Sequence, residues 1–396
     1  MTTLSSLSGA AGIAGIGQTE YSRFSGRSEL QLAVEAISAA LDDAGLTPKD
    51  VDGILKFTMD SNSEAQLIRT LGIPRLRLYG EIGYGGQAGP GLIGHAAAAI
   101  AAGHARVVVA FRALNERSGN RFGRADNRMP AQAGRYEARG DGTAAGEFTA
   151  PFGLLVPAHG AALAAHRYIH EYNISEEAFA SVALVQRRYA ARNPNAMMFR
   201  RELTMEDYLN GRYIAYPLRL FDCCLESDGA AAVVIVSKEM FRDVKPKVVA
   251  EVLSASQSFL RGAEAPDGAY KRDVTSSNAK VTADDLFGMA GLTPRDVDVA
   301  EFYEAFAHHV YAQLEGFGFC GPGEGPAFCQ AGGTELDGAI PTNTHGGHLS
   351  EAYIHGMNHV VESVRQLRGT AVNQVEDAKV AIVSANGWSS VLLGKR

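Results

Sequence analysis

The chain has 396 residues, a formal net charge of −7, 46% hydrophobic residues and 20% charged residues, which is ordinary for a globular protein with a large core. The acidic balance and the lack of a basic run argue against nucleic-acid binding, and the apolar runs are shorter than the roughly 20 residues that span a bilayer. The N-terminus lacks a signal-peptide pattern and the four cysteines form no CxxC pair, so we expect a cytoplasmic enzyme.

The first half of the chain alternates predicted strands and helices. Apolar spacing and glycine stops set the limits of these elements. In chain order they are a strand at 12–17, a helix at 30–44, a strand at 51–57, a glycine turn at 83–91, a buried helix at 92–102, a strand at 107–111 and a closing strand at 228–236. Such alternation indicates an α/β fold with parallel strands.

A near-copy of one segment divides the chain into two related parts. Residues 44–52 return at 290–298 with eight of nine positions identical, the exception being Lys49 against Arg295. The second part repeats the same order: a helix at 279–289, a strand at 297–302, a glycine turn at 346–347, a helix at 352–367 and a strand at 379–384. We therefore predict two duplicated halves, 1–240 and 241–396, with an excursion at about 112–217 that lies over the core.

The glycine turn of the first half is the sharpest local feature. Five glycines in Gly83–Gly91 permit a tight turn into a helix whose N-terminus offers unpaired N–H groups to an anion. Gly83, Gly85 and Ala88 fit the dinucleotide pattern G-x-G-x-x-A, but no acidic residue follows the next strand. Tight helix packing or an oxyanion site is favoured over nucleotide binding.

Two polar segments of the second half hold the candidate catalytic groups. Tyr303 follows a predicted strand, where sites gather in α/β sheets, although a packed aromatic residue is the simpler interpretation. Tyr353 lies among four histidines at 345–359, after the second glycine turn. His355 and His359 have the i, i+4 spacing of zinc ligands, but HExxH is absent, so we expect no metal. Polar packing and general acid–base use both stay open.

Four motifs resemble those of the thiolase superfamily over nearly the whole chain. They are Gly15-Ile-Gly-Gln-Thr-Glu-Tyr21, Ser227-Asp-Gly-Ala-Ala-Ala232, Tyr303-Glu-Ala-Phe306 and Asn343-Thr-His-Gly-Gly347. They are most similar to the thiolase-like lipid-transfer branch and, within it, to the steroid side-chain-cleaving aldolases. The resemblance implies the thiolase fold, two pseudo-duplicated βαβαβαββ halves in five layers.

All four catalytic positions of a thiolase are changed in this sequence. Matched to that family, the nucleophilic cysteine position falls on Gly86, the Asn position on Tyr303, the histidine position on Tyr353 and the late cysteine on Ala385. The resemblance therefore implies Tyr303 and Tyr353 as the acid–base pair, without a thiolate. Which of them is the base stays open. The supporting or oxyanion candidates are His345, His348, His309, Gly86 and Gly387.

The implied reaction is retro-aldol cleavage of a β-hydroxyacyl-CoA. The resemblance points to a 17-hydroxy steroid C22 side-chain thioester, giving a ketosteroid and propionyl-CoA, with no cofactor because CoA belongs to the substrate. It also implies a homodimer core bound to a small zinc-ribbon/OB-fold protein as a heterotetramer. A phenol acting as a base near neutrality needs positive charge or donors nearby, which we expect from the histidines. The alternatives are condensation or decarboxylation of an acyl-CoA, or a non-catalytic subunit.

Overall fold

The computed structural model describes residues 7–83, 88–119, 121–124, 150–258 and 278–395. Its strands are β1 (Ala11–Gln18), β2 (Gly53–Phe57), β3 (Leu78–Ile82), β4 (Val107–Asn115), β5 (Tyr213–Ala215), β6 (Leu218–Arg219), β7 (Asp228–Ser237), β8 (Ala250–Gln257), β9 (Val299–Phe302), β10 (Val380–Ala385) and β11 (Ser389–Lys395). All except the β5–β6 pair join one mixed sheet of nine strands.

The described α-helices surround that sheet. They are α1 (Glu29–Ala44), α2 (Glu64–Leu71), α3 (Gly89–Ala101), α4 (Pro157–Tyr172), α5 (Ala180–Arg192), α6 (Met205–Asn210), α7 (Asn278–Ala290), α8 (His308–Gly316), α9 (Gly325–Gln330) and α10 (Met357–Arg368). Among these helices, none combines the length and apolar character needed to cross a membrane.

The strand order is mirrored about the centre of the sheet. It runs β3-β2-β4-β7-β1-β8-β11-β10-β9, and the halves join where Gly12 and Ile13 of β1 pair with Glu251 and Ala250 of β8. Outward from this junction, each half places its first strand, its antiparallel last strand and then parallel strands. In the second half, the position of a further parallel strand holds only an isolated bridge within the described residues.

Five layers result from the packing of the helices. α3 and α10 lie between the half-sheets, because each contacts strands of both halves. The largest apolar cluster combines side chains of these two helices with β1, β4, β7, β8, β10 and β11. α1 covers the outer face of the first half and α7 that of the second. The predicted α/β architecture of two related halves is confirmed.

The repeated segment forms the same turn in both halves. After α1, the backbone N–H of Thr47 donates to Asp50 Oδ2 at 2.8 Å. After α7, the N–H of Thr293 donates to Asp296 Oδ2, also at 2.8 Å. A threonine and an aspartate three residues apart thus start each short turn by the same side-chain capping.

The last aspartate of the repeat holds the beginning of a neighbouring strand. Asp52, just before β2, accepts from the backbone N–H of Val107 at 2.9 Å, where β4 begins. Asp298, just before β9, accepts from the N–H of Val380 at 2.9 Å, where β10 begins. These two residues, which we call the strand clamps, fix the alignment of adjacent parallel strands.

Two predicted elements end differently in the structure. The strand predicted to stop at residue 111 continues to Asn115, so the excursion leaves the sheet later than expected. The helix predicted from residue 352 begins only at Met357, because His355 and Gly356 have φ angles of 52° and 84°. A five-residue π-helical turn at Gly347–Glu351 precedes this break, so Tyr353 lies in a loop.

Candidate active site

The two predicted catalytic tyrosines are in contact. Tyr303 follows β9 and Tyr353 lies in the loop before α10, and their phenolic oxygens are 2.5 Å apart. Their side chains pack with Ala385, and each residue is less than a tenth exposed. The two hydroxyl groups therefore form a hydrogen-bonded pair inside a buried, largely apolar environment.

The end of β9 holds Tyr303 through its backbone. The N–H of Tyr303 donates to the Ser384 carbonyl at 2.8 Å, and Gln313 Nε2 donates to the Tyr303 carbonyl at 2.8 Å. One residue earlier, Phe302 exchanges two hydrogen bonds with the side-chain amide of Asn343, at 2.7 and 2.9 Å. Buried side-chain amides thus reinforce the end of this strand.

The loop of Tyr353 is held from both halves of the chain. The N–H of Tyr353 donates to Ser227 Oγ at 3.0 Å, and Ser227 directly precedes β7 of the first half. Glu304 Oε1 accepts from the N–H of His348 at 2.6 Å. Gly347 makes this approach possible, because its φ is 59° and a Cβ there would lie 2.2 Å from Glu304 Oε1.

Burial keeps both phenols protonated near neutral pH. Loss of hydration raises the pKa of Tyr303 and of Tyr353 well above the usual value of about 10. The expected positive charge from the histidines is not supplied, because burial lowers the pKa of His345 to about 3 and that of His348 well below its usual range. The two tyrosines are therefore hydrogen-bond donors and proton donors at neutrality, and poor bases.

Of the three predicted supporting histidines, the structure brings His348 against the phenols. The centroid of its ring is 4.9 Å from that of Tyr303 and 5.0 Å from that of Tyr353, both edge-on. His345 lies one layer further away, with its ring 4.8 Å from that of His359. His309 lies at the start of α8, where Nδ1 is 3.3 Å from the side-chain nitrogen of Asn386.

Gly387, one of the two candidate glycines, has its backbone groups paired within the fold. The N–H of Gly387 donates to Ser384 Oγ at 3.1 Å, so the structure gives that group a partner other than an oxyanion. The Gly387 carbonyl accepts from Thr282 Oγ1 at 2.5 Å, and a Cβ at this position would lie 1.9 Å from Ala279 N. This glycine is required by helix packing. Gly86 lies outside the described residues.

Buried histidines and glutamates behind the phenols form a cluster with metal-like spacing. Glu304, His348 and His359 bring ligand atoms together, with Glu304 Oε2 and His359 Nε2 3.2 Å apart. His348 Nε2 lies 3.1 Å from the N–H of Gly356 and 3.2 Å from Asn358 Oδ1, and its other ring nitrogen, Nδ1, lies 3.7 Å from Glu304 Oε2.

Hydrogen bonds between protonated and unprotonated groups explain the close approach of these histidines and glutamates. Burial raises the pKa of Glu304 to about 7, which leaves a carboxylic acid close to His359 over much of the neutral range. His359 Nδ1 is 3.0 Å from His345 Nε2, and His345 Nδ1 is 3.0 Å from Glu301 Oε2. A chain of single protons can satisfy these atoms in turn without a metal ion.

A cavity of about 420 Å³ opens beside Tyr353. Its wall combines apolar and cationic side chains, including Met197, Met198, Phe221, Phe306 and Leu349 with Arg23, Arg117, Arg121, Arg187 and Arg212. Such a lining accommodates a ligand that has an apolar body and anionic groups.

Two neighbours of Tyr353 were not predicted as site residues. Cys224 is half-buried, lines the cavity and packs on both phenols. Burial and the nearby Glu116 raise the pKa of this thiol well above its usual value, so it is protonated at neutrality. His355 places its ring 4.8 Å from that of Tyr353 and accepts from Arg112 Nε at 3.0 Å.

The chain is similar to known proteins along its whole length. Residues 11–239 match the family described as "Thiolase, N-terminal domain", and residues 263–391 match "Thiolase C-terminal domain-like". The chain is 46% identical over 383 residues to a "Steroid side-chain-cleaving aldolase" of Thermomonospora curvata, covering 96% of both chains. It is 44% identical over 381 residues to a "17-hydroxy-3-oxo-4-pregnene-20-carboxyl-CoA lyase" of Mycobacterium tuberculosis, covering 96% of this chain and 97% of that one.

Solved structures give the same relationship. The "Ltp2-ChsH2(DUF35) aldolase" superposes with a TM-score of 0.89 at 44% identity, covering 98% of both chains. Human mitochondrial 3-ketoacyl-CoA thiolase superposes with a TM-score of 0.66 at 16% identity, covering 98% of this chain and 99% of that one. At 16% identity, the similarity to the human thiolase shows a shared fold and carries no statement about activity.

Proposed function

The chain belongs to the thiolase superfamily, and from this membership we propose that it is an aldolase that cleaves a β-hydroxyacyl-CoA by a retro-aldol reaction. The proposed substrate is a steroid whose CoA-linked side chain carries a tertiary alcohol at the ring carbon. The products would be a ketosteroid and propionyl-CoA. Its two relatives named as a steroid aldolase and a CoA lyase support this carbon–carbon lyase activity.

The observation that carries the proposal is the hydrogen-bonded phenol pair beside the cavity. In retro-aldol cleavage the hydroxyl loses its proton, the C–O bond becomes a carbonyl and the adjacent C–C bond breaks. The electron pair of that bond forms the thioester enolate, which is then protonated at the α-carbon. Tyr303 and Tyr353, both neutral and 2.5 Å apart, are suited to hold the enolate oxygen and to donate that proton.

Thiolytic chemistry is not supported by the residues present. A thiolase carries the acyl group on a thiolate. The sequence has Gly86 at the matched position, and the raised pKa of Cys224 keeps that nearby thiol protonated. Retro-aldol cleavage requires no covalent intermediate, so the reaction can proceed on these groups alone.

We further propose that the enzyme works as a homodimer bound to a small zinc-ribbon/OB-fold protein. The support is the 98% coverage by the "Ltp2-ChsH2(DUF35) aldolase", whose name pairs two components. We propose no cofactor, because the CoA thioester itself stabilises the enolate.

The test is cleavage of a 17-hydroxy steroid C22 acyl-CoA, by the protein alone and together with the zinc-ribbon/OB-fold partner. Ketosteroid and propionyl-CoA are measured by liquid chromatography with mass spectrometry. Tyr353→Phe is expected to lose cleavage, whereas Cys224→Ser is expected to keep it within about tenfold, since only packing is altered. No ketone from the wild-type protein under either condition, or equal loss in Cys224→Ser, would overturn the proposal.

A further inference from the structure

A buried arginine in the wall of the cavity beside Tyr353 lacks a counter-charge. Arg187, on α5, is 7% exposed and lines this cavity. In the part of the chain that the structure describes, no carboxylate forms an ion pair with its guanidinium. Arg112, the other buried arginine there, pairs with Asp60 at 3.1 Å. Because an isolated buried charge is costly, a guanidinium without a carboxylate at a cavity wall indicates a site for an anionic ligand.

The guanidinium of Arg187 is anchored along one edge. Its Nε donates to Ser350 Oγ at 2.9 Å, and its central carbon lies 5.8 Å from the centre of the Phe221 ring, which also lines the cavity. The two terminal nitrogens form no hydrogen bond to any residue that the structure describes. These nitrogens make up the planar fork that can bind two oxygens of one phosphate. Arg187 is thus oriented in advance for a bidentate contact with such a group.

The charges around this cavity are mostly positive, although the chain as a whole has a net charge of −7. Five arginines line the cavity against two glutamates. Glu226 forms an ion pair with Arg121, and burial raises the pKa of Glu116 well above its usual value. Burial also lowers the pKa of Arg187, and the charge of Arg201 adds to the fall, but a guanidinium stays protonated in proteins. The cavity therefore favours a ligand that brings negative charge.

The proposed substrate carries negative charge only in its CoA part. The steroid rings, the hydroxyl group and the thioester are uncharged, whereas CoA has a diphosphate and a 3′-phosphate. We propose that Arg187 binds a phosphate group of the CoA moiety through its two terminal nitrogens. This inference rests on the proposed function and adds to it a residue that binds the CoA part of the substrate.

Ser350 connects this contact to the phenol pair. It lies in the π-helical turn that leads directly into the loop of Tyr353. The backbone N–H groups of Met197 and Met198, which line the cavity, donate to carbonyls of the same turn at 2.9 and 3.3 Å. One segment therefore fixes the position of Arg187 relative to Tyr353, so a phosphate bound at the arginine sets how far the thioester reaches toward the phenols.

The first test removes the charge of Arg187 and measures KM for the steroid acyl-CoA. In Arg187→Met, KM should rise about 10- to 100-fold with kcat within about threefold, since the lost contact is the same in ground and transition states. Arg187→Lys keeps the charge without the fork and should give a smaller rise. Arg188→Met is the matched control, because Arg188 is the next residue of α5, is half exposed and pairs with Glu335. Its KM should stay within about twofold of the wild-type value.

Shortened substrates identify the phosphate that Arg187 binds. With the wild-type protein, KM should already rise for the dephospho-CoA thioester if the contact is the 3′-phosphate, and only for the pantetheine thioester if it is the diphosphate. With Arg187→Met, loss of that same phosphate should change KM by less than about threefold, because its partner is already gone. Thermal unfolding verifies that the variant is folded, and Arg187→Lys takes its place in this comparison if it is not.

The proposal is overturned if Arg187→Met keeps the wild-type KM within about threefold. It is also overturned if the variant raises KM as much for the pantetheine thioester as for the CoA thioester, since the arginine would then contact another part of the substrate. Calorimetric binding of free CoA compares the same proteins without turnover. If the wild-type protein cleaves nothing, the aldolase function fails, and the calorimetric comparison alone decides the role of Arg187.

Discussion

Removing one hydroxyl group of the phenol pair should cost nearly as much activity as removing both. Tyr303 and Tyr353 share a hydrogen bond of 2.5 Å in a buried site. If each phenol orients the other toward the enolate, the loss of either one leaves the remaining donor misplaced. Deleting one oxyanion donor costs about 10²–10³-fold in kcat, or about 3–4 kcal/mol.

This coupling determines how much transition-state stabilisation the double variant should lose. Independent donors would lose about 6–8 kcal/mol together, since separate effects add. A coupled pair should lose about 3–5 kcal/mol in Tyr303→Phe/Tyr353→Phe, leaving a coupling energy of about 3 kcal/mol. The distance between the oxygens therefore predicts non-additivity, and its size is within reach of ordinary kinetics.

The assay is kcat/KM for ketone release by the wild-type protein, both single variants and the double variant. Tyr311→Phe serves as the control, because that buried phenol donates to the Ala178 carbonyl at 2.6 Å and lies outside the site. It should cost about 1 kcal/mol of stability and leave kcat/KM within a few-fold. Fully additive losses, or a single variant with wild-type kcat/KM, would refute a coupled pair.

Two further predictions concern stability. Burial raises the pKa of Glu362 to about 8, so the folded state holds a proton that the unfolded state releases above about pH 4, and stability should fall as pH rises toward 8. Between pH 6 and 7.5, the free energy of unfolding measured with denaturant should fall less steeply with pH in Glu362→Gln than in the wild type, by about 1.4 kcal/mol per pH unit. An unchanged slope would contradict the raised pKa. Gly347→Ala should lower the melting temperature more than Gly369→Ala: both have positive φ, but a Cβ at 347 meets Glu304 whereas nothing lies within 4 Å of one at 369. Equal decreases in melting temperature would show that the positive φ alone, and not the contact with Glu304, determines the cost of the added Cβ.

The sequence predicts the fold well because its signals are local. Apolar spacing and glycine stops place α1 and α7, which end before Gly45 and Gly291, both with positive φ. The sequence predicts helix through the loop of Tyr353, because this segment corresponds to the buried helix that follows the glycine turn of the first half. Only the structure shows the left-handed residues His355 and Gly356 that delay the helix.

The site is less predictable because its groups meet through tertiary contacts. Motif matching selects Tyr303 and Tyr353, and the structure brings them together; their catalytic roles stay proposals. Cys224 reaches them because its N–H donates to the Ala305 carbonyl at 2.9 Å, a contact between the two halves that no local pattern reveals. The charge state of His348 depends on complete burial, which sequence spacing does not report.

The strand clamps separate two tasks at opposite ends of one strand. Asp298 fixes the start of β9 against β10, while Tyr303 follows the end of β9. Asp52 repeats the first task in the half that carries neither Tyr303 nor Tyr353. The residues that align the strands thus occur in both halves, whereas the two proposed catalytic phenols lie in one. A substitution at the far end of such a strand therefore leaves intact the hydrogen bonds that align its start.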